Sequence, residues 1–216
     1  MKVTIIIPTC SDSRIPLLIQ TVESIQTGSY KNVHPVIVVD GNPHIAEVAN
    51  KKLRYVSIIS NKERIGWVAS TNRVLKEFGS EYYIYAADDL IFPFDCIERA
   101  MTTMQERFPD GFGVVTIGRK TKAIFGLIGN KWVEQFPDRQ VFCPFYKHYG
   151  ADWEHSQFCK KIGKFAYSSK RNSQVEHFRL KDETCRIARK FYRTKDLTLS
   201  TQREKRGLLW GTSFER

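Results

Sequence analysis

The sequence predicts an α/β fold, with a mostly parallel central sheet, helices on both faces, a smaller mixed sheet and a basic C-terminal helix. Three observations carry this expectation. Between Val3 and Leu90, short apolar runs alternate with stretches of helical periodicity, in the β-α-β-α-β-α-β order of strands joined by right-handed crossovers. The runs are apolar throughout, as strands covered on both faces are. The final third is strongly basic and contains an amphipathic helical stretch. A chain of 216 residues buries one substantial core, so 1–216 is expected to be a single domain with halves 1–90 and 91–178 and a helical extension 179–216.

Each element has its own signal. Val3–Ile7 is a β-branched run stopped by Pro8. Ser11-Asp12-Ser13 then offers helix caps, and Ile15, Leu18, Ile19, Val22 and Ile25 recur at helical spacing. Pro35–Val39 is a second strand closed by the turn cluster Asp40-Gly41-Asn42-Pro43. A short helix from His44 to Leu53 leads to a strand at Tyr55–Ile59, and Ile65–Phe78 is a helix ending before Gly79. Tyr82–Ala87 is the fourth strand. Beyond it lie a helix at Phe94–Phe108, a strand at Gly113–Ile117 and an irregular aromatic segment, Gly118–Tyr149, expected to wall a pocket. Helices follow at Asp152–Ile162 and at Leu180–Arg193, the latter with Leu180, Ile187 and Phe191 inward.

The fourth strand stops abruptly at Asp88-Asp89. The carboxyl ends of strands in open α/β sheets are where ligands bind. Adjacent carboxylates repel, so they are best tolerated where a cation or a donor-rich ligand shares the charge. Mg²⁺ and Mn²⁺ take hard oxygen ligands of this kind, with substrate phosphates completing the shell. A solvated acidic turn after a strand fits the same residues.

Composition narrows the class. A hydrophobic fraction of 42% with 14 Phe suits a globular chain rather than a disordered one. No apolar run approaches the ~20 residues that span a bilayer, and Met1–Pro8 is too short and too β-branched for a secretory signal. The five cysteines are odd in number and widely spaced, which suggests neither a disulfide framework nor a zinc site and points to a reducing, cytoplasmic setting. The net charge of +11 is uneven: His155 to Arg216 holds 16 Lys/Arg against 6 Asp/Glu, and the rest is nearly balanced. A polyanionic partner follows, nucleic acid ahead of an anionic membrane; a solvated basic face that aids solubility is the plainer alternative.

Four features, in order, resemble the family-2-like nucleotide-sugar glycosyltransferases of the GT-A, Rossmann-like fold, including compact virus- and phage-encoded ones. They are Val3-Thr4-Ile5-Ile6-Ile7-Pro8-Thr9, Val38-Val39-Asp40-Gly41, the stretch from Asn61 through Gly66 to Asn72, and Ala86-Ala87-Asp88-Asp89 at the place of the family's Asp-x-Asp motif. The resemblance implies a donor site in the first half, with Pro8, Thr9, Asp40, Arg64, Asn72 and Asp88 holding a nucleotide sugar, UDP-linked first. It implies Mn²⁺ or Mg²⁺ on Asp88, Asp89 and a late histidine, best matched by His177. It also implies that the second half supplies the general base of an inverting transfer, in Gly150-Ala151-Asp152-Trp153-Glu154-His155. Asp152 matches best and Glu154 is the reserve; His148 and His155 lie nearby. The family begins its acidic motif with an Asp where this chain has Ala86.

The acceptor is sought in the basic final third. Lys160, Lys161, Lys164, Lys170 and Arg171 form an acid-free run, and Arg186, Arg189, Lys190 and Arg193 share a helix, with Phe165, Tyr167, Phe178, Phe191 and Tyr192 interleaved. That mixture suits phosphate contacts with base stacking, and DNA with hydroxylated bases fits as acceptor. The alternatives are a basic helix lying on anionic lipid during glycan synthesis, and an inactive nucleotide- or nucleic-acid-binding relative, which Ala86 makes credible. A sugar-nucleotide pyrophosphorylase needs a glycine-rich loop after the first strand, and Thr9–Arg14 contains no glycine.

Overall fold

The computed structural model describes residues 1–168, 174–178 and 182–211. Its centre is a seven-stranded sheet assembled from β1 (Val3–Thr9), β2 (Val33–Asp40), β3 (Ser57–Asn61), β4 (Tyr82–Tyr85), β6 (Val114–Thr116), β7 (Gly126–Gly129) and β8 (Phe165–Tyr167). The order across the sheet is β3-β2-β1-β4-β7-β6-β8. All strands run parallel except β7, which enters antiparallel between β4 and β6. A second sheet pairs β5 (Leu90–Ile91) antiparallel with β9 (Glu176–His177), setting Leu90 opposite His177. That pairing brings a residue from the far end of the sequence beside the acidic pair.

Alternate residues of each strand face opposite layers. Ile5, Ile7, Ile37, Val39 and Ile84 pack on the layer containing α1 (Ile15–Thr27), α2 (Pro43–Lys52) and α4 (Cys96–Arg107). Ile6, Val36, Val38, Tyr83 and Tyr85 face α3 (Trp67–Glu77), α5 (Asn130–Glu134) and α6 (Ala151–Lys161). This double burial is why the strands read as continuous apolar runs.

The expected elements appear, with ends shifted by a few residues. One expectation is corrected. The final basic segment is not one amphipathic helix with Phe191 inward. It comprises α7 (Glu183–Ala188), a π-helical turn at Arg189–Arg193 and α8 (Thr194–Lys205). The wide turn rotates the face that follows, leaving Phe191 54% exposed while Ala188 is buried. Leu180, Lys170 and Arg171 lie outside the described residues.

Candidate active site

A cavity of about 800 Å³ opens at the carboxyl ends of β4 and β6. Asp89, Asp152 and His177 all line it, so three distant parts of the sequence converge there. Trp67 closes one side and donates from Nε1 to the Ala86 carbonyl at 3.3 Å. Ala86 is fully buried beneath it, in the core rather than in the cavity.

The acidic pair has a protein cation beside it. Arg14, in the loop after β1, donates from Nη1 to Asp88 Oδ1 at 2.7 Å and lies 3.5 Å from Asp89 Oδ2. Its Nε reaches Asp182 Oδ2 at 2.7 Å, and Asp182 caps α7 by accepting from the Cys185 N–H at 2.9 Å. Burial raises the Asp88 carboxyl above its usual range against the pull of Arg14. Burial pushes Asp182 up as well, but its hydrogen bonds from Arg14 and from the Cys185 N–H outweigh this and hold it below the usual range. Arg14 was not among the residues singled out from the sequence, although the need for a cation near Asp88-Asp89 was. The loops at that end of the sheet were the place to seek it.

Asp88, expected among the metal ligands, is held at Oδ1 by Arg14. Asp89 is different. Its Oδ2 lies 3.3 Å from His177 Nε2, and its buried Oδ1 has no hydrogen-bond partner among the described residues. His177 is fixed by the β5–β9 pairing and by an edge-on contact with Phe125. A hard oxygen and an imidazole nitrogen so placed are donors that Mn²⁺ accepts. The described residues contain no cluster of three or more acidic, His or Cys ligands.

The donor-side residues divide. Thr9 is buried beside Asp88, and Pro8 lies within β1. Asp40, Arg64, Asp88 and Arg14 all act electrostatically on Cys10, whose thiol burial pushes up to about 11. Asp40 accepts from the Ile65 and Gly66 N–H groups at 2.9 Å each and from Asn61 Nδ2 at 3.0 Å. Three hydrogen bonds use most of a carboxylate's capacity, so Asp40 chiefly shapes the loop before α3. Gly66 is required there: its φ is 95°, and a Cβ would lie 2.6 Å from the Lys147 carbonyl oxygen. Asn72 is not in the cavity. Its amide exchanges two hydrogen bonds with the Phe142 backbone, at 2.7 and 3.1 Å.

On the other side, α6 begins after Gly150 and places Asp152 in its first turn. Burial raises the Asp152 carboxyl above its usual range, opposed by the Trp153 N–H and the Lys122 and Arg119 charges. His148 also lines the cavity and is kept neutral by burial, at about 4. His155 points the opposite way. It is buried among Trp132, Phe136 and Phe142, accepts from Trp132 Nε1 at 3.1 Å and titrates near 3 because burial disfavours its charge.

Glu154 is not a reserve base. It is buried in a bridge to Arg203 of α8, at 2.8 Å from Nη2, and also accepts from Tyr146 Oη and the Trp210 N–H, each at 2.6 Å. The same helix supplies Asp196, which accepts from the Lys147, His148 and Tyr149 N–H groups at 3.2, 2.8 and 2.8 Å. The C-terminal segment therefore braces the loop and helix that carry Asp152.

The basic residues do not form one surface. Arg189 lines the cavity, while Arg186, Lys190 and Arg193 are exposed on the same segment. Lys160 and Lys161 end α6, and Lys164 precedes β8, which starts at the opposite edge of the sheet from the cavity. Lys164 lies over Phe108 and Phe112. Among the described residues, no helix is long and apolar enough to cross a membrane.

The sequence pattern of glycosyl transferase family 2 matches residues 4–175. No curated protein matches the chain. Among solved structures, a Pyrobaculum calidifontis mannosyltransferase, PcManGT, in complex with GDP-Man and Mn²⁺ superposes with a TM-score of 0.65 at 18% identity, covering 95% of this chain and 64% of its own. Residues 1–349 of S. aureus TarS superpose at 0.61 and 14% identity, covering 79% of this chain and 59% of that one, and TarS is also solved with UDP-GlcNAc. The chain thus spans about three fifths of the length of these structures. The likeness shows the GT-A fold.

Proposed function

The chain belongs to glycosyl transferase family 2, and on that premise we propose that it is an inverting, metal-dependent glycosyltransferase that moves a sugar from a nucleotide sugar to a hydroxyl acceptor. The observation that carries this is the meeting of Asp89, His177 and Asp152 in one cavity at the carboxyl edge of the sheet. Asp89 and His177 would hold the divalent cation, which would neutralise charge on the departing nucleoside diphosphate. Arg64, whose charge acts on His148 of the cavity lining, suits a diphosphate, and the loops after β1 and β2 carry the nucleotide. A UDP-sugar is the first donor to test, since UDP-GlcNAc accompanies one structural neighbour and GDP-Man another.

Asp152 takes the proton of the acceptor hydroxyl as that oxygen attacks the anomeric carbon opposite the leaving diphosphate. Burial favours this role, because a carboxylate with a raised pKa is a stronger base. Arg14 holds Asp88 and Asp182, so the wall beneath the donor keeps its shape as charge builds. The uneven basic charge supports a DNA acceptor with hydroxylated bases.

The test is thermal shift with UDP-, GDP-, ADP- and dTDP-sugars, with and without Mn²⁺. A shift for one nucleotide that needs Mn²⁺ and vanishes in Asp89→Ala is expected. No shift with any donor would leave an inactive binding module as the better reading.

A further inference from the structure

The strands β6 and β7 are joined by a β-hairpin whose tip, Gly118-Arg119-Lys120-Thr121-Lys122, stands over α6. An Arg119–Lys122 bridge closes it, and the single Thr116 Oγ1 hydrogen is shared between the Arg119 and Lys122 carbonyls, each at 3.1 Å. It is pinned to α6 from two sides. Lys160 Nζ donates to the Thr121 carbonyl at 2.5 Å, and the Ala123 N–H donates to Ser156 Oγ at 2.9 Å. The tip is therefore held in place, not merely a charged loop.

Arg119 of the tip faces the cavity, and Lys122 lies beside the first turn of α6. Arg119 lines the cavity with Asp152, and both Arg119 and Lys122 act on the Asp152 carboxyl. The Lys122 ammonium lies 4.4 Å above the Trp153 ring, next to Asp152 in sequence. No carboxylate lies within ion-pair distance of Arg119, Lys120 or Lys122 among the described residues. By contrast, Arg14, the cation beside Asp88 and Asp89, is fully occupied by carboxylates. At the mouth stands Phe178, 46% exposed, its N–H held by the Asp89 carbonyl at 3.1 Å. Cations carried on a pinned hairpin with no carboxylate at ion-pair distance, a rim aromatic and a nearby base form a site for an anion with a flat group beside it.

We propose that the 118–122 hairpin binds the phosphodiester backbone of a single nucleic-acid strand, with Arg119 and Lys122 on phosphates and a base against Phe178, thereby presenting the hydroxyl to Asp152. This rests on the glycosyl-transfer reading above and moves the polyanion contact away from Lys160, Lys161 and Lys164. Stacking on an aromatic combined with phosphate neutralisation is how single strands are held.

The test uses the full chain, a short single-stranded oligodeoxynucleotide and fluorescence anisotropy over a salt series, with no donor present. The variants are Arg119→Gln, Lys122→Gln, their combination, and Lys164→Gln as a control from the opposite edge of the sheet. Thermal unfolding checks that each is folded, and calorimetry reads UDP-sugar binding with Mn²⁺ separately. Wild type and Lys164→Gln are expected to bind alike. The double variant should bind at least tenfold more weakly, with a salt slope shallower by about 1.4, as two lost phosphate contacts to a single strand require. Donor binding should be unchanged. Equal loss of donor binding in the double variant would assign the hairpin to the donor diphosphate and overturn the proposal. So would anionic vesicles, and not the oligonucleotide, depending on Arg119 and Lys122, or oligonucleotide binding that ignores the hairpin. Absence of donor binding in wild type strikes the glycosyl-transfer reading instead, and it leaves the oligonucleotide result to be read by itself.

Discussion

Arg14 Nη1 sits 2.7 Å from Asp88 Oδ1, both side chains almost wholly buried, with Asp89 and Asp182 completing the acidic surround. Two adjacent carboxylates at a strand end were expected to need a cation, and the protein carries one in its own loop. Deleting one partner of a buried pair typically costs about 3–5 kcal/mol, because the other charge is left uncompensated. Arg14→Ala is therefore expected to lower the unfolding temperature markedly. Mn²⁺ should stabilise that variant more than wild type, since it then becomes the main cation near Asp88 and Asp89. Thermal unfolding with and without Mn²⁺ reads both effects. An Arg14→Ala protein as stable as wild type and indifferent to Mn²⁺ would leave Arg14 without this role.

Asp152 must be ionised to accept a proton, and burial raises its pKa. Activity is therefore expected to be present above that pKa and lost as pH falls through it, with the acid limb of kcat/KM above the ordinary Asp value of about 3.9. Lys122 works against the shift, so Lys122→Gln should move the limb to higher pH. Asp152→Asn should lower kcat by about 10²–10⁴-fold, the usual contribution of general acid–base catalysis, while donor binding persists. Wild-type turnover in Asp152→Asn would remove it from the base position.

The alternation of elements, the buried sheet and the place of the site were legible because each rests on local pattern. Apolar runs mark strands covered on both faces, and Asp88-Asp89 mark where one stops. What the sequence hides is contact between distant segments. Arg14 meets Asp182, Glu154 meets Arg203 and Asp196 meets the Lys147–Tyr149 backbone only once the C-terminal helices fold back. Their excess of Lys and Arg reads as a binding surface, yet Arg203 is an internal brace. Phe191 faces outward because the π-helical turn breaks the 3.6-residue period that would place it inward. Asn72 lies within a matching motif, but motif spacing does not tell a ligand contact from a clasp on Phe142.

Glu154 and Asp152 lie on the same helix in opposite settings, one in a buried bridge and one at the cavity, and substitution separates them. Glu154→Gln leaves the Arg203 charge buried and is expected to destabilise by about 3–5 kcal/mol. Turnover per folded molecule and the acid limb of the pH profile should stay near wild type. A selective collapse of kcat in a stable Glu154→Gln protein would return Glu154 to candidacy as base.

His155 and His148 are buried and neutral, with pKa values held near 3 and 4. Unfolded, each titrates near 6.5, so below that pH the unfolded chain binds protons the folded one refuses. Their stabilising effect is present above about 6.5 and is lost as pH falls toward their folded values, at up to about 1.4 kcal/mol per pH unit for each. Chemical denaturation between pH 7 and 4 should show this decline, and His155→Gln should flatten it. An unchanged slope in His155→Gln would mean that the ring is not neutral in the folded protein.

Asp196 is 3% exposed and gathers three consecutive N–H groups just before Gly150, so it sets the entry of the helix that carries Asp152. Removing the carboxylate in Asp196→Ala leaves those donors without their acceptor, at about 1–3 kcal/mol for each that stays buried. The loop also holds His148 and Tyr149 at the cavity, so it is expected to shift as well as weaken. Misplacing a catalytic group by about 1 Å can cost about 10²-fold in rate. Asp196→Ala should therefore lower kcat by about 10–100-fold per folded molecule while the KM for donor changes little, if the donor lies against the loops after β1 and β2 as proposed. Asp196→Asn keeps one acceptor oxygen and should recover part of the loss. If Asp196→Ala lowered stability alone, with kcat per folded molecule intact, the brace would support the fold without positioning the base.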